Sequence, residues 1–404
     1  MAFVSRSFDT GNRKSRRSIL CRLVDKAIPA MPAGQLCLVL PNGETIERHG
    51  EAPGPDATMV VQRWRALRSM LVYGEYGFAD GYLDGEWTTP DLAQLLEFCA
   101  RNESALAAKA ASGPLGLLRN RLSHRLRRNS RRGSRRNISA HYDLGNSFFA
   151  PWLDAGMNYS SALWANCNTL EHAQEVKLDR IANLLEFTGG ERVLEIGCGW
   201  GALAEKMIRH YRASVLGITL SIEQLAYART RLAGEAAEGR ADLRLLDYRD
   251  VSGGFDRIVS VEMIEAVGER YWPNYFGKLR NCLVSGGVVV LQAITIDEQR
   301  FATYRKTPDF IQRYIFPGGV LPTRSIIEQE ASRAGLKLVH HESFGDSYVK
   351  TLREWRTRFL QAWPRIEPLG FNERFRRMWE FYLAYCEVGF NLGTIDVGFF
   401  KLAG

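Results

Sequence analysis

Three glycines at alternate positions follow an acid and an apolar run in Leu194-Glu195-Ile196-Gly197-Cys198-Gly199-Trp200-Gly201. Residues of these types in this order can hold a nucleotide-like ligand, because glycine allows a tight turn and a close approach of the ligand to the backbone. A tight turn alone could use the same glycines. The ligand-binding reading rests on the acid two residues before the first glycine and on the strand pattern that precedes it. Dinucleotide binding fits poorly. The spacing is G-x-G-x-G, not G-x-G-x-x-G, and the next strand ends in Gly217-Ile218-Thr219-Leu220-Ser221 with no acid to hold a ribose. The other concentration of chemistry is charge. From Arg119 to Arg136 there are nine arginines, one histidine and no acid, and Arg13, Lys14, Arg16 and Arg17 form a second basic cluster. With a net charge of +8, these point to a polyanionic partner, an anionic membrane face or nucleic acid, set against the plainer reading of a solvated linker.

A glycine loop of this kind needs a strand to deliver it and a helix to receive it. Arg192-Val193-Leu194-Glu195-Ile196 reads as a buried strand, and a helical pattern begins at Ala202. Upstream, Val176, Leu178, Ile181, Leu184 and Leu185 recur at helical spacing within 171–187, and Gly189-Gly190 ends that helix. Downstream come a strand over 214–218, a helix from Ile222, and strands over 243–246, 257–261 and 288–294. Strands alternating with helices predict an α/β fold with a doubly wound, mostly parallel sheet covered on both faces. A small domain precedes it. Leu36 to Leu40 is a strand candidate followed by the turn residues Pro41-Asn42-Gly43, and the stretch from Pro90 to Leu96 opens a helix. The expected organisation is a basic tail over 1–20, a small N-terminal domain over 21–112, an arginine-rich linker over 113–136 and a catalytic domain over 137–404.

Of the 404 residues, 46% are hydrophobic and 24% charged, the composition of a packed globule. No run of 18 or more apolar residues predicts a transmembrane helix, and the N-terminus lacks the apolar core of a secretory signal. The seven cysteines contain no C-x-x-C pair, which argues against a disulfide framework and against a metal site. A cytoplasmic location, peripheral at the inner membrane face, is expected.

Outside the glycine loop, the sequence closely resembles the cyclopropane-fatty-acyl-phospholipid synthase family, which includes the mycolic acid methyltransferases. The matching segments are His141-Tyr142-Asp143-Leu144-Gly145-Asn146, Tyr159-Ser160-Ser161-Ala162, Gly217 to Ser221 with Gln224, Phe255 to Val261, and Glu265-Ala266-Val267-Gly268. Tyr314 to Gly319, Phe344 to Tyr348 and Arg374 to Trp379 continue the match, and Phe78 to Trp87 resembles the small N-terminal domain of the bacterial synthases. The resemblance implies a Rossmann-like S-adenosylmethionine-dependent methyltransferase. It implies cofactor contacts for Tyr159, Ser160, Glu195, Gly197, Gly199, Gly201, Thr219, Leu220 and Gln224, and an adenine site at Asp247, Tyr248 and Arg249. It also implies a bound bicarbonate ion as general base, in a shell of Glu265, the backbone at Ile294, Tyr348, Ser161 and Gln292. The last two stand where the best-known bacterial pattern has Cys and His. Both can still donate a hydrogen bond to an oxyanion.

The implied reaction adds a methylene unit to the cis double bond of an unsaturated phospholipid acyl chain, forming a cyclopropane. The sulfonium methyl is the electrophile and the alkene a poor nucleophile, so positioning in a dry pocket supplies much of the catalysis. Tyr314, Phe316 and Tyr348 are candidates to face the resulting carbocation. The expected partner is a phospholipid membrane, not nucleic acid; a homodimer is compatible with the resemblance, and the sequence leaves the oligomeric state open. Three rivals remain open: a lipid C-methyltransferase that stops at a methyl-branched or methylated unsaturated chain, an RNA methyltransferase, and a non-catalytic lipid-binding protein.

Overall fold

The computed structural model describes residues 18–111 and 144–404. Both basic clusters and His141-Tyr142-Asp143 lie outside the described residues. The chain divides into two compact units, Met1–Leu118 and Arg119–Gly404.

In the first unit, a helix overlaps the end of the stretch read as a tail. The helix Ile19–Ala27 is capped by Ser18, whose side chain accepts from the Cys21 amide. Four strands follow, β1 (Ala33–Val39), β2 (Thr45–His49), β3 (Ala52–Val61) and β4 (Trp87–Thr88), in the order β2-β1-β3-β4. The turn at Pro41-Asn42-Gly43 joins β1 to β2, and Gly43 sits at φ +83°, a conformation that glycine adopts without penalty. Asp91 caps the helix Leu92–Arg101, which buries Leu92, Leu95, Leu96 and Phe98. The helices Trp64–Tyr73, Glu75–Leu83 and Glu103–Ala111 are not announced by the sequence pattern.

The second unit is built on seven strands: β5 (Arg192–Ile196), β6 (Ser214–Thr219), β7 (Ala241–Leu245), β8 (Phe255–Val261), β9 (Leu283–Ile296), β10 (Lys337–Ser343) and β11 (Ile395–Ala403). Their order is β10-β11-β9-β8-β5-β6-β7. The pairs within β9-β8-β5-β6-β7 are parallel, and β11 runs antiparallel to both β9 and β10. The doubly wound, mostly parallel sheet expected from the sequence is therefore present. Its core packs Leu194, Ile258, Val289 and Phe400 of the sheet against Phe276 and Leu279 of the helix Trp272–Cys282 and Ile327 of the helix Arg324–Arg333. These side chains are all fully or almost fully buried, so truncating one, as in Leu194→Ala, costs about 2–5 kcal/mol.

Strand order reverses on either side of β5. In sheets of this kind, the crevice at the carboxyl ends of the strands beside that reversal is where ligands bind. The tips of β5, β6, β8 and β9 all carry residues singled out from the sequence.

Candidate active site

The glycine loop leaves the tip of β5 and is tied to the tip of β6. The Gly197 and Cys198 amides both donate to Ile218 O, at 2.9 and 3.0 Å. Gly197, Gly199 and Gly201 all have positive φ, at +82°, +51° and +87°, so three backbone conformations that other residues adopt only with strain occur within five positions. At Gly197 an added Cβ would lie 2.5 Å from Met263 Cγ, whereas at Gly199 it would meet nothing within 4 Å. The loop is therefore packed from below and open above. The helix Ala202–Tyr211 starts directly after it, with Gly201 as its N-cap.

Glu195 lies at the end of β5 and is 4% exposed. One of its carboxylate oxygens, Oε2, is buried without a hydrogen-bond partner, and burial pushes its pKa up to about 8. A lone carboxylate oxygen beside an open glycine loop suits a ligand that brings a donor or a positive charge. Lys177, which the sequence reading did not single out, is buried close by and donates to Ser160 Oγ at 2.9 Å. Burial brings its pKa down to about 8, against the opposing pull of Asp154, Glu262 and Glu195.

At β6, Thr219 Oγ1 donates to Gln224 Oε1 at 3.0 Å and accepts from the Ser221 amide at 3.1 Å. Ser221 caps the helix Ile222–Arg231, accepting from the Gln224 amide. Thr219, Gln224 and the partly exposed Leu220 are thus held together at one strand end. Beyond β7, Asp247 accepts from the Arg249 amide at 3.0 Å and from its Nε at 2.7 Å. That guanidinium also lies over the Tyr248 ring at 5.6 Å, so all three residues of the expected adenine site are in mutual contact. Tyr159 packs 5.3 Å from the Trp355 ring and shares a 2.9 Å hydrogen bond with Tyr382.

The other half of the crevice is made of carboxylates. Parallel pairing of β8 with β9 sets Val261 opposite Gln292, so the residue after Val261 lands beside that glutamine. This residue is Glu262, and its amide donates to Gln292 O at 2.7 Å. Its Oε1 accepts from Gln292 Nε2 at 2.7 Å and from the Ser161 amide at 2.8 Å, and its Oε2 accepts from Tyr348 OH at 2.7 Å. Glu262 has φ +50°, a left-handed conformation that costs a non-glycine residue about 1–2 kcal/mol. Strain of this kind persists where the surroundings over-determine it, and here three donors do so.

Glu265 stands three residues further on, in the short helix Ile264–Val267. Its Oε1 accepts from the Ile294 amide at 2.6 Å, while its Oε2 is buried without a partner. Burial, and then the charge of Glu262, push the Glu265 pKa up to about 8. Burial also raises Glu262, but donors from Ser161, Tyr348 and Gln292 pull it back. Two carboxyls with unequal donor sets are a means of keeping one ionised and the other protonated.

The five residues assigned to the expected bicarbonate shell are thus all brought to one place, but in two groups. Ser161, Gln292 and Tyr348 converge on Glu262, and Ile294 serves Glu265. Ser161 contributes its backbone amide, while its hydroxyl donates to Ala162 O at 3.0 Å. Glu262 itself was missed. The available signal was the pair of acids at 262 and 265 directly after a strand. Of the three aromatic candidates, Tyr348 touches Glu262, Phe316 lies 6.2 Å from Tyr382, and Tyr314 packs on Phe310 at 5.0 Å.

Residues 129–400 match the family described as mycolic acid cyclopropane synthetase. The chain belongs to this family. Among its relatives is the tuberculostearic acid methyltransferase UfaA1 of Mycobacterium tuberculosis, 41% identical over 358 residues that cover 86% of this chain and 83% of that protein. The cyclopropane-fatty-acyl-phospholipid synthase of Escherichia coli is 35% identical over 362 residues, covering 86% of this chain and 87% of its own. The crystal structure of mycolic acid cyclopropane synthase CmaA1, complexed with SAH and CTAB, is 30% identical and superposes with a TM-score of 0.63 over 67% of this chain and 98% of that one. By family and fold, this member of the mycolic acid cyclopropane synthetase family is an S-adenosylmethionine-dependent methyltransferase. The resemblance drawn from the sequence segments is thereby established.

Proposed function

We propose that the protein transfers a one-carbon unit from S-adenosylmethionine to the cis double bond of an unsaturated phospholipid acyl chain and closes it to a cyclopropane. The observation that carries this reading is the buried pair Glu262 and Glu265 set beside the glycine-lined crevice, with Tyr348 against the pair. An alkene attacking a sulfonium methyl gives a carbocation and then has a proton to lose. The site must therefore exclude water, carry negative charge and contain a base. Bound S-adenosylmethionine supplies the electrophilic methyl. Glu195 and the open face at Gly199 fit a cationic ligand beside the loop, and Tyr159, Thr219, Gln224 and the Asp247-Tyr248-Arg249 cluster line its expected length.

The relatives support the substrate class, since UfaA1 is named for a fatty acid product and the Escherichia coli protein for a phospholipid-bound fatty acyl chain. The identity to UfaA1 also favours a second reading, in which the carbocation loses a different proton and the product is a methylated or methyl-branched chain. We further propose a membrane surface as the partner, at the cytoplasmic face of the inner membrane, supported by the net charge of +8 and the arginine run from Arg119 to Arg136. Among the described residues no helix is long and apolar enough to cross a membrane.

Incubation with S-adenosylmethionine and liposomes of a cis-monounsaturated phospholipid, followed by proton NMR of the acyl chains, tests the reading. Upfield ring protons establish the cyclopropane. A retained double bond carrying a new methyl establishes the second reading, and no modified chain overturns both.

A further inference from the structure

The resemblance implies a bicarbonate ion as the base, held by Ser161, Gln292, the Ile294 amide, Tyr348 and Glu265. In this chain the donors of Ser161, Gln292, Tyr348 and Ile294 are already spent. The Ser161 amide has one hydrogen and gives it to Glu262 Oε1. Its hydroxyl donates to Ala162 O. Gln292 Nε2 has two hydrogens and places them on Glu262 Oε1 at 2.7 Å and on Ser161 O at 3.3 Å. Tyr348 OH gives its one hydrogen to Glu262 Oε2, and the Ile294 amide gives its own to Glu265 Oε1. The N–H and O–H donors of Ser161, Gln292, Tyr348 and Ile294 are all engaged, three of these four residues with the Glu262 carboxylate, and of the two carboxyls only Glu265 keeps an unpartnered oxygen. A separate oxyanion here would add a further negative charge beside the Glu262 carboxylate with only the Glu265 carboxyl left to meet it.

We infer that the Glu262 carboxylate stands in for bicarbonate and is itself the base that takes the proton from the new methyl group. This inference rests on the reading of lipid one-carbon transfer. In the step, the alkene π pair forms a bond to the methyl carbon, and the C–S bond breaks onto sulfur, leaving neutral S-adenosylhomocysteine and a carbocation on the neighbouring carbon. A C–H bond of the added methyl then breaks. Its proton goes to a Glu262 oxygen, and its electron pair forms the second C–C bond, closing the ring. In the methylated-alkene outcome the same oxygen takes a proton from an adjacent carbon, and the electron pair forms a double bond. Glu262 returns its proton to solvent before the next turnover. The left-handed backbone at Glu262 aims the carboxylate back toward the tip of β9, where Gln292 and Ser161 fix it. A carboxylate so fixed has its lone pairs oriented before substrate arrives.

The test uses the full chain, S-adenosylmethionine and the liposomes described above, in buffer depleted of carbon dioxide and in the same buffer with added bicarbonate. The wild type is expected to form product at the same rate in both. Glu262→Gln should lower that rate by about 10²–10⁴-fold, the usual loss for a general base, while retaining S-adenosylhomocysteine binding by calorimetry. Glu262→Gly suits the positive φ and frees the three donors, so its product formation should rise on addition of bicarbonate, which a purely structural role for Glu262 would not produce. A wild-type enzyme that stops in depleted buffer and recovers with bicarbonate overturns the inference, as does a fully active Glu262→Gln. A wild type that forms no lipid product in either buffer sinks the underlying reading instead.

Discussion

The two halves of the crevice solve the same binding problem with different material. At the tips of β5 and β6 the surface is backbone, with three glycines at positive φ and amides pinned to Ile218 O. At the tips of β8 and β9 it is side chains, with two carboxyls held by groups from residues 161, 292, 294 and 348. A backbone site depends on what a residue lacks, so its tolerance is set by the absence of Cβ. A carboxylate site depends on what is donated to it, so its tolerance is set by the number of donors. Substitutions should separate the two.

The largest effect is expected on the backbone side. Gly197→Ala puts a Cβ within 2.5 Å of Met263 at φ +82°. The left-handed penalty of about 1–2 kcal/mol and the overpacking cost of about 1–3 kcal/mol add to about 2–5 kcal/mol of lost stability, seen as a lower denaturant midpoint. Calorimetric titration should show S-adenosylhomocysteine affinity falling by more than about tenfold, equivalent to about 1.4 kcal/mol. Unchanged affinity would remove the glycine loop from the cofactor site.

On the carboxylate side, Tyr348→Phe deletes one of the three donors to Glu262. A hydrogen bond to a charged group is typically worth about 1.5–3 kcal/mol, so the rate of product formation should fall roughly 10- to 100-fold, with S-adenosylhomocysteine binding intact. The lost donor disfavours the ionised form, so the acid limb of the pH–rate profile should move to higher pH. A uniform loss of rate with no shift of that limb would mean that Tyr348 acts on packing alone.

Glu265→Gln addresses the second carboxyl through stability. In the folded chain Glu265 holds its proton to about pH 8, against an ordinary value of 4.5. A carboxyl raised in this way lends stability that is complete below its unfolded pKa and is lost as pH rises through the folded value. Between about pH 5 and pH 9 the wild type should therefore lose stability that Glu265→Gln does not lose, giving the variant a flatter profile by denaturant unfolding. Glu195 titrates in the same direction, so the flattening is partial.

The smallest effect is expected at Ser161. Its amide, not its hydroxyl, serves Glu262, so Ser161→Ala should leave the rate within a few-fold of wild type and cost about 1 kcal/mol of stability for the lost bond to Ala162 O. A loss as large as that of Tyr348→Phe would show that the hydroxyl reaches the reacting groups.

What was legible in the sequence follows the same divide. The glycine loop is one contiguous segment, and the strands from β5 to β9 announce themselves by local apolar runs or alternation. The fold class therefore followed from short-range patterns. β10, with His340-His341-Glu342 in its middle, has no such run, and β11 and the helices Gly345–Ile366 and Glu373–Asn391 were not anticipated. Glu262 was missed for a different reason, since the pair of acids after β8 marks its place but not its role. Its meaning lies in partners at 161, 292 and 348, which only the β8–β9 register and the docking of the helix Gly345–Ile366 bring together. Glu265 was found because the family segment marks it. Lys177 reads as a polar position of an amphipathic helix, and only the fold shows that it is buried.

The placement of β11 has a consequence for how the molecule is made. It lies between β9 and β10, pairing Val397 with Ile294 and Phe400 with His341, and the Phe344 amide at the start of the Tyr348 helix donates to Val397 O. During synthesis β9 and β10 therefore both wait for residues 395–403 before the sheet can close, and until then the Tyr348 helix lacks that anchor. Pairing over this sequence distance is slow relative to local structure and leaves the facing edges of β9 and β10 unpaired in the nascent chain. The Tyr348 donor to Glu262 is thus anchored in the same late step that inserts β11, so a ribosome-bound chain that has not yet extruded β11 should carry a formed glycine loop but a Glu262 carboxylate short of one donor.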